Sequence, residues 1–269
     1  GGSPAMRSTQ YIIGFAAAVC LVCGVVVAGS YESLKERQQI NAQLDKKKKV
    51  LGVVSLYTAG EEITPEEIDK RFADNIQAKL VDLSTGQYSD ATPEEVAAFD
   101  QRKARQDPAR SSAADANSAQ VARVPNEALV FLKVENGEVD QLVLPIEGKG
   151  LWSTLYGFIA LESDTNTIAG ITFYEHGETP GLGGEVENPN WQALWPGRKA
   201  FDGAWAPKIN VKKGAAGSVA EDPHNVDGLS GATITGRGVG YLVQFWLDQD
   251  RFGAYLANFR NQSLKGGQG

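Results

Sequence analysis

Past residue 23 the chain has no cysteine, and its 269 residues include only two cysteines, two histidines and one methionine. Disulfides therefore cannot brace whatever folds after the first segment. A cysteine nucleophile is excluded there, and His176 with His224 cannot assemble a histidine-rich metal site, so no metal ligands are assigned. A serine hydrolase is poorly served, because Ser230 is followed by Gly-Ala-Thr and lacks the Gly-x-Ser-x-Gly frame of a nucleophile elbow. Excess positive charge is also missing. With 26 Lys and Arg against 33 Asp and Glu the net charge is −7, and no basic patch with interleaved aromatics marks a nucleic-acid surface. The glycines of Gly236-Arg237-Gly238-Val239-Gly240 have the wrong spacing for a dinucleotide-binding turn.

One long hydrophobic run is present. From Tyr11 to Gly29 no residue is charged, and at 1.5 Å per residue a helix over this run extends about 28 Å, enough to cross a hydrocarbon core. Val27-Ala28-Gly29-Ser30 is small enough for a signal peptidase, but the run exceeds a typical signal core and only Arg7 precedes it as a basic side chain. The reading is a retained anchor over residues 6–30. Gly1 to Ala5 precede the only methionine, Met6, and are read as an expression remnant. Cys20 and Cys23 lie one helical turn apart inside the span, where small polarizable residues suit a helix contact. Lys35, Arg37 and the run Lys46 to Lys49 outnumber Arg7 and the terminal amine, so a count of basic residues puts the C-terminal side in the cytoplasm.

Glu32 to Val50 reads as a polar helix leaving the anchor, followed by a short strand at Val53 to Tyr57. Thr64-Pro65-Glu66-Glu67 combines a cap, a first-turn proline and a glutamate three residues after the cap, which predicts a helix through about Leu80. Thr92-Pro93-Glu94-Glu95 repeats the signal. Arg102 to Arg123 has almost no bulky apolar residue and reads as a mobile polar insert near 102–123, within a helical or mixed segment 31–124. Strand patterns begin after Pro125. Ala128 to Val134 and Glu138 to Leu144 flank Glu135-Asn136-Gly137, a hairpin cue, and Thr167 to Glu175 forms another strand. Val239, Leu242, Val243, Trp246 and Leu247 recur at helical spacing. Trp191 and Trp195, beside Pro189 and Pro196, read as a structural loop. Strands first and a long helix last give an α+β fold, with one N-terminal transmembrane helix followed by a mostly antiparallel sheet domain with flanking helices. That domain is placed at 125–262, with a flexible tail at 263–269.

Asp227-Gly228-Leu229-Ser230-Gly231-Ala232-Thr233 is the most informative stretch. Gly228, Gly231 and Ala232 make a thin, permissive turn, and the apolar period behind it puts Thr233 to Thr235 at or just before a helix N-terminus. Unpaired backbone N–H groups and the helix dipole favour an anion such as phosphate there. Taken alone, the residues also describe an ordinary capped turn.

This Asp-x-x-Ser-Gly-Ala-Thr pattern resembles the recognition sequence of the bacterial flavin transferase that moves FMN from FAD onto threonine. Pro145-Ile146-Glu147-Gly148-Lys149-Gly150-Leu151-Trp152 and His176-Gly177-Glu178-Thr179-Pro180-Gly181-Leu182-Gly183 resemble the glycine-rich pieces of the FMN-binding domain family. With the anchor, the order is similar to the C subunits of sodium-translocating NADH:quinone oxidoreductases over residues 6–35 and 125–260. The resemblance implies FMN esterified to Thr233, with Thr235 left to order the helix start, and Ser230, Gly231 and Ala232 forming the acceptor turn. Asp227 would serve either recognition by the transferase or the turn itself. Trp152 and Leu182 would wall the isoalloxazine, and Glu178, Thr179 and the backbone of Gly181 and Gly183 would meet its polar edge. The resemblance also implies a periplasmic flavin domain, against the basic-residue count. It implies electrons arriving from iron–sulfur-bearing membrane subunits and leaving to a second covalent FMN on the B subunit, with no NADH site, sodium transport or quinone reduction in this chain. Two other readings share these features. One is the G subunit of the related ferredoxin:NAD electron-transport complex, and the other is a membrane-anchored scaffold with an unmodified turn.

Overall fold

The computed structural model describes residues 8–266. The expected expression remnant at 1–5 and residues 267–269 of the expected tail lie outside the described residues. Two compact units are present, one up to Asp45 and one from Lys46 onward. In the first, helix α1 (Thr9–Val53) begins, and its stretch Thr9–Tyr31 is long and apolar enough to cross a membrane.

The second unit opens on the last turns of α1. The helix continues to Val53, so the strand expected at Val53 to Tyr57 does not form. Ser55 takes a left-handed φ of 61°, and the Leu56 and Ser55 N–H groups donate to the carbonyls of Leu51 and Gly52 at 2.8 and 3.1 Å. This double bond pattern satisfies the last carbonyls and turns the chain away.

Helix α2 (Pro65–Asn75) starts at the Thr64 cap as expected but ends five residues earlier than predicted, at Asn75, where strand β1 (Ile76–Asp82) takes over. Every residue from Ile76 to Asp82 pairs with strand β5 (Glu127–Glu135), and this pairing overrides the local helix preference of Gln-Ala-Lys-Leu. Strand β2 (Gln87–Tyr88) forms the edge. Helix α3 (Pro93–Ala98) has the full capping box predicted at Thr92 and Glu95.

The stretch expected to be a mobile insert is folded. It carries helix α4 (Gln101–Gln106) and the small ribbon of β3 (Ser111–Ala113) and β4 (Arg123–Pro125), and it buries Ala104, Ala119 and Val121. Small residues make contacts here that a search for bulky apolar side chains misses.

Strands β5 and β6 (Glu138–Lys149) form the expected hairpin, with Asn136 and Gly137 both at positive φ. Strand β7 (Thr154–Glu162), absent from the sequence reading, pairs with β6 on one side and with β8 (Ile168–Glu175) on the other. The result is a six-stranded antiparallel sheet in the order β2-β1-β5-β6-β7-β8.

Two faces of this sheet are buried differently. On one, Leu144, Ile159 and Ile171 lie in register and join Leu142, Ile146 and Phe173 in a core closed by Val239, Leu242, Val243 and Trp246 of α6 (Thr233–Leu247). The opposite face carries a row of rings, Phe72 to Phe131 to Phe158 to Tyr174, with centroid spacings of 5.9, 5.8 and 5.2 Å. Arg102 of α4 lies over Tyr156 at 3.6 Å. After β8 come the short helix α5 (Pro189–Gln192) and the two-residue parallel pair β9 (Asn210–Val211) and β10 (Asn225–Val226). Helix α7 (Ala254–Gly266) closes the described chain, so residues 263–266 of the expected tail are helical.

Candidate functional site

Three loops converge at one end of β6, and one carboxylate joins them. In the β6–β7 turn the Gly150 N–H donates to the Ser153 carbonyl at 2.8 Å and Lys149 Nζ to the Trp152 carbonyl at 3.0 Å. The turn thrusts Leu151 and Trp152 into solvent, 40% and 67% exposed. The polar stretch 102–123 supports this end, because the Ala119 carbonyl accepts from the Lys149 N–H at 2.8 Å.

A second loop follows β8. Thr179-Pro180-Gly181-Leu182 is closed by the Leu182 N–H on the Thr179 carbonyl at 3.1 Å, with Gly181 at φ 74°. Proline followed by a positive-φ glycine fits a type II turn. It presents Leu182 at 44% exposure.

The third is the acceptor stretch. Asp227 Oδ1 accepts from the Ala216 N–H, and its carbonyl accepts from Trp191 Nε1, both at 2.9 Å. Asp227 therefore builds the turn. Gly231 stands at φ 69°, and a Cβ there would meet Leu182 Cδ2 at 2.9 Å, so the second and third loops touch. Ser230 is exposed and Ala232 buried. Helix α6 starts at Thr233 with no side-chain cap and no acidic residue in its first turn. Thr233 is half-buried and Ile234 is 55% exposed, whereas Thr235 is only 1% exposed.

Glu178 holds the three loops together. Its Oε1 accepts from the N–H groups of Trp152 and Ser153 at 2.9 and 3.0 Å and from Ser153 Oγ at 3.3 Å. Its Oε2 accepts from the Leu151 N–H at 3.1 Å and from Thr235 Oγ1 at 2.6 Å. Burial pushes this carboxyl up, but the bonds from Thr235, Ser153, Trp152 and Leu151 outweigh it and hold the group below the usual carboxylate range. A Cβ on Gly183 would come within 2.7 Å of both Glu178 Oε2 and Thr235 Oγ1, so only glycine lets the loop close over this bond. Expected to meet a flavin edge, Glu178 has both oxygens taken up by the protein. The exposed Thr179 hydroxyl and the loop backbone around Gly181 remain at the surface.

The sequence-selected residues Trp152, Glu178, Leu182, Gly183 and Thr233 thus fall in one place. Trp191 and Trp195, 7% and 0% exposed and packed edge to face, belong to the core. Ile234 was missed, although an isoleucine off the apolar period of α6 is a legible signal. A flat ligand carrying a phosphate fits this arrangement. An exposed tryptophan and leucine offer it a wall, and the uncapped start of α6 offers N–H groups to its anion.

Residues 150–248 match the FMN-binding domain family. Over nearly its whole length the chain is similar to the C subunit of the Na(+)-translocating NADH-quinone reductase of Pseudomonas aeruginosa, 44% identical over 257 residues, covering 94% of this chain and 97% of that one. The corresponding C subunit of Vibrio anguillarum is 41% identical over 261 residues, covering 96% and 97%. Among solved structures, Shewanella oneidensis NqrC matches with a TM-score of 0.74 at 35% identity, covering 81% of this chain and 98% of that one. The C subunit of Parabacteroides distasonis gives 0.64 at 27% identity, covering 83% and 96%. With 94–96% of its length matched by C subunits at 41–44% identity, and with an N-terminal apolar helix leading into an antiparallel sheet domain, the chain belongs to the family of C subunits of Na(+)-translocating NADH-quinone reductases.

Proposed function

We propose that this chain carries FMN on Thr233 through a phosphodiester and relays electrons on it. As a member of the C-subunit family it is a membrane-anchored electron-transfer subunit of the sodium-translocating complex. The observation that carries the finer reading is the contrast between two threonines. Thr235 Oγ1 is buried and bonded to Glu178 at 2.6 Å, while Thr233 stands at the uncapped start of α6 beside an exposed turn. Of the two, only Thr233 leaves a hydroxyl within reach of a modifying enzyme.

Attachment requires the Thr233 hydroxyl to form an ester bond to the FMN phosphorus of FAD. The pyrophosphate link breaks and AMP leaves, and the hydroxyl proton passes to AMP or to solvent. A flavin transferase supplies the machinery for this step. Once bound, FMN supplies the redox chemistry of its isoalloxazine. Trp152 and Leu182, exposed on two of the loops of this site, would bind the ring by stacking and apolar contact. The backbone of the Thr179 to Gly183 loop would meet its polar edge, and the α6 N-terminus would hold the phosphate. Glu178 acts by fixing these walls.

The N-terminal helix anchors the chain in the inner membrane with a single pass, and the flavin domain lies in the periplasm. Electrons reach it from iron–sulfur-bearing membrane subunits and continue to the covalent FMN of the B subunit. Support for these assignments comes from the family membership and from the lack of a dinucleotide-binding turn in the sequence.

The test is a denaturing gel under ultraviolet light, run on the chain coexpressed with a flavin transferase. A fluorescent band is expected for the wild type and none for Thr233→Val. A colourless wild type despite active transferase would return the turn to a structural role.

A further inference from the structure

Arg237 stands apart among the basic side chains of the folded unit. Of the described arginines from Lys46 onward, Arg71, Arg102, Arg105, Arg123 and Arg198 are hydrogen-bonded or ion-paired, and Arg110, Arg251 and Arg260 lie over aromatic rings. Among them Arg237 alone has no hydrogen bond, ion pair or ring contact, and it is exposed. An arginine free of carboxylates next to an acceptor site is a cation available for something else.

Its place on α6 is specific. Within residues 233–241 of α6, positions 235, 236, 238, 239 and 240 are buried, which leaves Thr233, Ile234, Arg237 and Tyr241 as the residues not buried there. Arg237 follows Thr233 by four residues, so the two are neighbours on the helix surface. Helical side chains lean toward the N-terminus, so a side chain four residues on covers the turn that Thr233 begins. That turn has no acidic residue and no side-chain cap.

We infer that Arg237 is a positioning residue that clamps the phosphodiester of the flavin link on Thr233. This inference rests on the reading of Thr233 as the acceptor. Guanidinium and phosphate form paired, charge-assisted hydrogen bonds, which fix direction as well as distance. The N–H groups at the start of α6 and the Arg237 guanidinium would together hold the phosphate and limit the freedom of the link.

The experiment uses the full chain coexpressed with a flavin transferase, as wild type, Arg237→Gln and Arg237→Lys, with thermal melting to confirm that all three fold. Phosphorus NMR of the solubilised proteins reports the diester directly, and flavin fluorescence anisotropy reports the mobility of the ring. For Arg237→Gln the diester resonance is expected to move and to lose its response to added salt. Anisotropy should fall, and early flavin incorporation should drop roughly three- to tenfold. The lysine variant should recover part of each effect, as a point charge without the fork. Loss of incorporation in Arg237→Gln with rescue by lysine counts in favour. Wild-type resonance and anisotropy in Arg237→Gln would overturn the clamp while leaving the flavin site standing. A wild type with no diester resonance would bring down the acceptor reading itself, and the clamp with it.

Discussion

At the residue scale, the site depends on one carboxylate with five donors. Thr235→Val removes the donor of the 2.6 Å bond to Glu178 and is expected to cost about 2 kcal/mol, since the acceptor it leaves short of a partner is charged. The band of this variant should remain fluorescent in the gel, which separates the structural threonine from the acceptor. The pH dependence follows from the depressed carboxyl. The folded state holds Glu178 below its unfolded value of 4.5, so its contribution is fully present above that value and is lost as pH falls through the folded pKa. Melting temperatures of wild type and Glu178→Gln taken between about pH 6 and pH 3 should therefore converge at the acid end, because only the wild type has this ionisation to lose. Parallel curves would mean that the carboxylate does not act through its charge. The sequence pointed to Glu178 as a polar partner for the flavin edge, and the structure shows both of its oxygens bonded within the protein. A motif can mark a residue as belonging to a site, whereas the bonds that occupy its oxygens come from segments 25 to 57 residues away.

At the element scale, α6 is seated by the absence of side chains. A Cβ on Gly238 would lie 2.4 Å from the Lys149 carbonyl, a backbone atom that cannot swing aside. Gly238→Ala is expected to push α6 off the end of β6 and destabilise the fold by about 1–3 kcal/mol. Thermal melting would register that loss, and an unchanged melting temperature would show that the helix has slack. Capping signals were the most legible elements, because Thr64, Thr92 and their glutamates act within a few residues of themselves. The hairpin at Asn136-Gly137 was legible for the same reason. The end of α2 and strand β7 were not, since both are decided by partners across the sheet. The polar stretch at 102–123 misled in a different way. Its anchoring side chains are alanines and one valine, which carry little signal in a linear pattern and yet pack fully.

On the whole-molecule scale, anchor and sheet domain were both readable, one from a charge-free run and the other from alternating strands ahead of a periodic helix. Orientation was not, because the basic residues beyond the anchor argue for one side and the family for the other. Protease added to intact spheroplasts is expected to digest the folded domain, with the fragments followed by antibody. Protection until the membrane is opened would place the domain in the cytoplasm and reverse the assignment. The walls beside Thr233 form an open shelf, with Trp152 at 67% and Leu182 at 44% exposure. A freely diffusing molecule would gain little by resting on so shallow a surface. A group on a leash of a few bonds is presented to the same shelf at a local concentration on the order of millimolar, so weak contact is enough to park it. Weak contact is also quickly surrendered. With FMN esterified to Thr233 as proposed, permanence would reside in the leash and release in the shelf, and the chain would offer its cargo to a neighbour without ever giving it up.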